Sequence, residues 1–178
     1  MAIVRAQNGH THMNYSKSFL TVMDFVLKAE GGLVDNPHDP GGLTNFGISQ
    51  RSYPNEDIRN LTKDRALAIY FGDYWWPSRC DLLPLPVAFV VMDSAVNCGV
   101  RKAIVWLQTE AGAIPDGVFG PKTLDAVEAM APENLARDIL RVRQAFYLSL
   151  RTYGTFGKGW MNRMASLSDA LDEGGNVA

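Results

Sequence analysis

The residues best equipped for chemistry are two acids nine positions apart, set in a glycine-rich stretch: Glu30-Gly31-Gly32 and Asp39-Pro40-Gly41-Gly42, running on into Leu43-Thr44-Asn45-Phe46-Gly47-Ile48-Ser49. Two carboxylates in unlike surroundings suit glycosidic bond cleavage. One keeps its proton and donates it to the leaving oxygen, while the other stays ionised and activates water or attacks the sugar. Glycine pairs supply positive-φ conformations and bare backbone, as a loop beside an extended sugar requires. Each piece has a plainer reading. Glu-Gly-Gly is also an ordinary helix end, and Asp-Pro-Gly an ordinary turn. Together, two acids and two glycine pairs exceed what so short a connection needs.

The acids depend on the elements around them. Phe19, Val22, Met23, Val26 and Leu27 recur at three- and four-residue spacing, which predicts a helix over 15–29 with Glu30 at its C-terminal end. Residues 31–60, rich in Gly, Pro and Asn, read as a lobe of loops with a short hairpin. Thr62 caps a further helix reaching about Tyr70 or beyond. The apolar run Val87–Val96 reads as a central buried helix, and 101–111 and 121–130 as two shorter ones, with Pro121 in a first turn. A long helix from Pro132 should bury Leu135, Ile139, Val142, Phe146 and Leu150. Gly154, Gly157 and Gly159 break the pattern before a last helix over 160–171.

The run from Glu30 to Ser49 resembles the N-terminal motif of glycoside hydrolase family 108, which comprises N-acetylmuramidases including phage endolysins. The likeness continues through Leu61-Thr62, Ala68-Ile69-Tyr70, Asp73-Tyr74-Trp75 and Asp93-Ser94-Ala95-Val96-Asn97-Cys98-Gly99. Asp116-Gly117-Val118-Phe119-Gly120-Pro121-Lys122-Thr123 is similar to the repeat of small peptidoglycan-binding domains, so the resemblance spans roughly residues 15–165. It implies a mainly α fold: a lysozyme-like single compact body with a small loop- and hairpin-containing lobe after the first helix. It also implies that Glu30 is the catalytic acid. Phage-type lysozymes share a looser pattern in which five residues separate the second acid from a threonine. Here four separate Asp39 from Thr44. Asp39 as general base and Thr44 as water-positioner are therefore carried over less directly than Glu30, and Asp35 competes as the second acid.

The implied reaction is hydrolysis of the β-1,4 bond between N-acetylmuramic acid and N-acetylglucosamine in peptidoglycan, without metal or organic cofactor. Asn45, Tyr70, Tyr74, Trp75 and Asn97 are the substrate-binding candidates. About half of the aromatic cluster Tyr70, Tyr74, Trp75 and Trp76 should be core, and Asn97 has a competing reading as a helix C-cap. Glu30 on a helix end and Asp39 on a separate loop more naturally leave room for a water than for direct attack, which predicts inversion. A lytic transglycosylase would use the same glutamate without an activated water. A non-catalytic wall-binding protein would rest on the Asp116–Thr123 motif alone.

Composition narrows the alternatives. A net charge of −2 gives no field to capture nucleic acid, and wall binding would have to come from the cleft. The segment 132–163 carries a local surplus of four positive charges, fit either for an anionic polymer or for a solvated helix face. Cys80 and Cys98 read as free thiols. No segment approaches the ~18 apolar residues of a membrane span. The N-terminus lacks the apolar core of a signal peptide. A monomer made in a host cytoplasm and released to the wall through a holin lesion is the expectation that the phage likeness carries. The expected organisation is a flexible or cloning-derived arm at 1–13, a catalytic region at 14–99, a helical peptidoglycan-binding-like region at 100–171, and a frayed end at 172–178.

Overall fold

The computed structural model describes residues 4–7, 10–35 and 42–173. Among these the chain is mainly α, with seven α-helices and two small hairpins. Its contacts divide it into two compact units, Met1–Asp73 and Tyr74–Ala178.

The first unit opens with strands β1 (Val4–Gln7) and β2 (His10–Met13), paired antiparallel with Gln7 opposite His10. The sequence shows no strand alternation here. Helix α1 (Lys17–Glu30) starts where the Ser16 hydroxyl accepts from the Phe19 N–H at 3.1 Å. Its buried face is Phe19, Val22, Met23, Phe25 and Val26: four of the five predicted positions with Phe25 added, Leu27 being only half-buried. The helix stops at Gly31, whose φ of 77° only glycine adopts readily and whose N–H bonds back to Leu27. Tyr15, Phe19 and Phe71 form an aromatic triangle with centroids 4.7–5.3 Å apart, fixing the start of α1.

Strands β3 (Thr44–Asn45) and β4 (Ile48–Ser49) form the second hairpin. Helix α2 (Lys63–Tyr70) begins at Thr62, which caps the Arg65 N–H as expected, and it runs into a π-helical turn, Phe71–Trp75. Between hairpin and α2, Gln50 donates to the carbonyls of Tyr53, Pro54 and Glu56, and Ile58 and Leu61 are buried.

The second unit is built on α3 (Leu85–Cys98), in which every residue from Val87 to Ala95 is buried. Helices α4 (Val100–Glu110), α6 (Pro132–Ser149) and α7 (Tyr153–Asp172) pack on it, and α5 (Pro121–Glu128) packs on α6. Prolines open α5 and α6, where a missing N–H costs nothing. Two expectations are corrected. Helix α7 starts at Tyr153 and runs through all three glycines: a methyl on Gly157 would lie 2.7 Å from the Tyr153 ring, so this glycine makes room for the ring one turn earlier. The stripe of α6 is rotated, with Arg143 fully buried while Val142, Phe146 and Leu150 are only half-buried.

Arg143 is inside because Asp93 of α3 is there to meet it. The Asp93 carboxylate accepts from Arg143 at 2.6 Å on one oxygen and from Arg163 at 2.6 and 2.9 Å on the other. Arg143 also donates to the Tyr147 hydroxyl at 3.1 Å. Burial opposes the guanidinium charge, but Asp93 and Tyr147 more than offset this and raise Arg143 above its ordinary value. Arg137 pairs with Asp172 and Arg141 with Asp138. Four of the six basic residues of 132–163 are thus paired within the unit.

Candidate active site

The first unit positions Glu30. Val34 and Thr44 exchange backbone hydrogen bonds of 2.8 and 2.9 Å, closing the loop between them at its base just beyond the end of α1. Asp39 belongs to this loop but lies outside the described residues, as do His38 and residues 174–178. Asp35 is exposed and its carboxylate is held by Arg59, a poor arrangement for a base that must meet a water in a cleft.

Thr44 leads into a two-residue turn, Phe46–Gly47, with φ of 50° and 76°. Two successive positive φ values mark the tight turn that matches strand twist. Glycine accepts this conformation, whereas a phenylalanine there is an outlier. Its carbonyl accepts from the Tyr70 hydroxyl at 2.9 Å. A methyl built on Gly47 would lie 2.7 Å from Glu30 Cγ, 2.8 Å from Glu30 Cβ and 2.7 Å from Tyr70 Oη. The stem of Glu30 therefore lies directly on the bare α-carbon of Gly47, with the Tyr70 hydroxyl beside it. Glu30 itself is half-buried.

The other candidates take varied places. Thr44 is half-buried and its hydroxyl donates to the Gly42 carbonyl at 3.3 Å, leaving its lone pairs to accept from a water. Asn45 is buried, and its amide donates to the carbonyls of Ile58 and Leu61 at 3.2 and 3.5 Å. It ties the hairpin to the following loop rather than facing a sugar. Tyr70 and Trp75 are 2% and 0% exposed, so neither ring has a face open to a ligand. In the second unit, Tyr74 is half-buried and Trp76 is 45% exposed, with Arg79 over its ring. Asn97 is exposed but donates back to the Asp93 carbonyl at 2.8 Å, as a helix-end residue does. Sequence reasoning passed over Phe46 and Gly47 as individual residues. The signal available was a two-residue step, ending in glycine, between two short strand-like pairs.

The second unit holds a separate built loop. The buried Gln108 side chain donates to Asp116, to the Val118 carbonyl and to Thr123, and accepts from the Gly117 N–H. Hydrogen bonds from the Val118 N–H and from Gln108 hold the Asp116 carboxyl below its ordinary value. A cavity of about 720 Å³ beside this loop is lined by Ala113, Ile114, Val118 and Lys122, among others. Among the described residues, no group of three His, Cys, Asp or Glu side chains could hold a metal ion.

The sequence model of the glycosyl hydrolase 108 family matches residues 23–99, and that of a predicted peptidoglycan domain matches residues 102–165. Among solved structures, Brucella abortus SagA is similar at 34% identity and a TM-score of 0.80, the match covering 90% of this chain and 97% of that one. No curated protein sequence matches. An acid on a helix end beside a tight hairpin, joined to a peptidoglycan module, is thus a glycoside hydrolase that acts on peptidoglycan. The chain belongs to the glycosyl hydrolase 108 family.

Proposed function

We propose that the chain hydrolyses the β-1,4 bond between N-acetylmuramic acid and N-acetylglucosamine, with Glu30 as proton donor. The observation that carries this reading is the seating of the stem of the half-buried Glu30 on Gly47, at the end of α1. Glu30 gives its proton to the glycosidic oxygen as the C–O bond breaks. A water adds to the anomeric carbon and passes a proton to Asp39, with Thr44 accepting a hydrogen bond from that water. Val34 pairs with Thr44 at the base of the stretch of chain to which Asp39 belongs. The commitment of Asp35 to Arg59 favours Asp39 as the second acid. With a water between the carboxylates the product is the inverted anomer.

A lytic role, with release from a phage host's cytoplasm to the wall, fits this chemistry and the family likeness. Wall remodelling in a bacterium is the second reading, favoured by the bacterial source of the similar solved structure. Mass spectrometry of digested peptidoglycan tests the reaction. Hydrolysis gives fragments ending in a reducing N-acetylmuramic acid. Fragments lighter by one water, ending in a 1,6-anhydro sugar, would make it a transglycosylase, and intact strands would leave only a binding protein.

A further inference from the structure

The turn at Phe46–Gly47 holds a conformation that its first residue resists. A large L side chain at a φ of 50° carries a steric penalty, and such a residue persists only where its surroundings over-determine it. The surroundings supply one specific tie, the Tyr70 hydroxyl on the Phe46 carbonyl at 2.9 Å. Tyr70 is 2% exposed on the last turn of α2, where helix packing fixes its ring, so the tie has a rigid anchor. The next residue, Gly47, then sits in contact with Cβ and Cγ of Glu30. A rotation of the turn would move the surface on which the Glu30 stem rests.

We propose that Tyr70 is a positioning residue: by holding the Phe46 carbonyl it keeps the Gly47 α-carbon under Glu30 and so sets the direction of the carboxyl. The proposal rests on the reading of Glu30 as proton donor. It gives Tyr70 a task distinct from sugar binding, because its ring is buried and its hydroxyl donates to the Phe46 carbonyl. It also explains how a phenylalanine is tolerated where asparagine or glycine would be unstrained.

Three variants separate the possibilities, assayed by reducing ends released from solubilised peptidoglycan fragments, at a temperature where circular dichroism shows each to be folded. Tyr70→Phe keeps the ring and removes the tie. It should lower kcat about ten- to hundredfold with KM within about twofold, the scale expected when a reacting group is misplaced by up to 1 Å. Adding Phe46→Asn supplies a residue that adopts the left-handed turn without help, and should recover most of that loss although the hydroxyl is still missing. Wild-type kcat in Tyr70→Phe would overturn the proposal. So would a rise in KM in place of the fall in kcat, which would put the hydroxyl on substrate. A folded double variant as slow as Tyr70→Phe would also overturn it. Glu30→Gln, run alongside, keeps the two readings apart. If it turns over normally, the donor assignment fails on its own account. If it is inactive while Tyr70→Phe is unimpaired, only the positioning role fails.

Discussion

Gly47→Ala is the sharpest perturbation the site offers. The added methyl would stand 2.7–2.8 Å from Glu30 Cγ, Glu30 Cβ and Tyr70 Oη, against ordinary carbon contacts of about 3.5–4.0 Å. Relief requires a movement of about 0.7–1.3 Å, shared between the turn and the Glu30 stem. The φ of 76° adds a left-handed penalty of about 1–2 kcal/mol, and overpacking adds about 1–3 kcal/mol. The total, roughly 2–5 kcal/mol, corresponds to a fall in melting temperature of roughly 4–20 °C for a chain of this size. Displacing the acid by about 1 Å should cost about a hundredfold in kcat. Gly112→Ala is the matched control. Its φ is 73°, but a methyl there meets nothing within 4 Å, so it should show the 1–2 kcal/mol strain and unchanged hydrolysis of soluble fragments. Thermal unfolding and reducing-end release give both numbers. If Gly47→Ala matches the control in both, the contact with Glu30 does not position the acid.

Other expectations concern the second unit. Asp93→Asn would leave Arg143 and Arg163 without their shared counter-ion and should destabilise by about 3–5 kcal/mol in denaturant unfolding. A loss below 1 kcal/mol would show that the buried cluster does not hold α3, α6 and α7 together. Burial pushes the Tyr147 hydroxyl up to about 12 from its ordinary 10, so above pH 10 the unfolded chain loses a proton that the folded one keeps. Stability should therefore fall as pH rises from about 10 towards 12, and Tyr147→Phe should flatten that slope in melts across this range. Burial also holds the fully enclosed Cys80 thiol well above its ordinary value. Thiol titration of the native protein should therefore modify the half-buried Cys98 first, with Cys80 reacting only on unfolding.

The parts of the structure written in local pattern were legible in the sequence. Ser16, the three- and four-residue stripe from Phe19 to Val26, and Gly31 together define α1 and leave Glu30 at its end, because each of these signals acts within one or two turns. Thr62 and Pro121 marked helix starts for the same reason. What could not be read depends on partners distant in sequence. Arg143 is buried because of Asp93, fifty positions away, and no helical pattern displays such a counter-ion. The side-chain type of Tyr70, Trp75 or Asn45 does not say whether it faces a ligand or the core; here all three are buried. Gly157 looked like a helix breaker and instead accommodates the Tyr153 ring within α7. The strained Phe46 was hidden because its stability comes from Tyr70, on another element.

The central claim is that Glu30 supplies the proton that breaks the glycosidic bond, and Glu30→Gln tests it most directly. The amide keeps the shape and the stem resting on Gly47, so melting temperature and sedimentation with insoluble peptidoglycan should stay near wild type. General acid catalysis contributes about 10²–10⁴-fold, and release of reducing ends should fall by at least that factor. A folded Glu30→Gln enzyme that digests peptidoglycan at the wild-type rate would contradict the account.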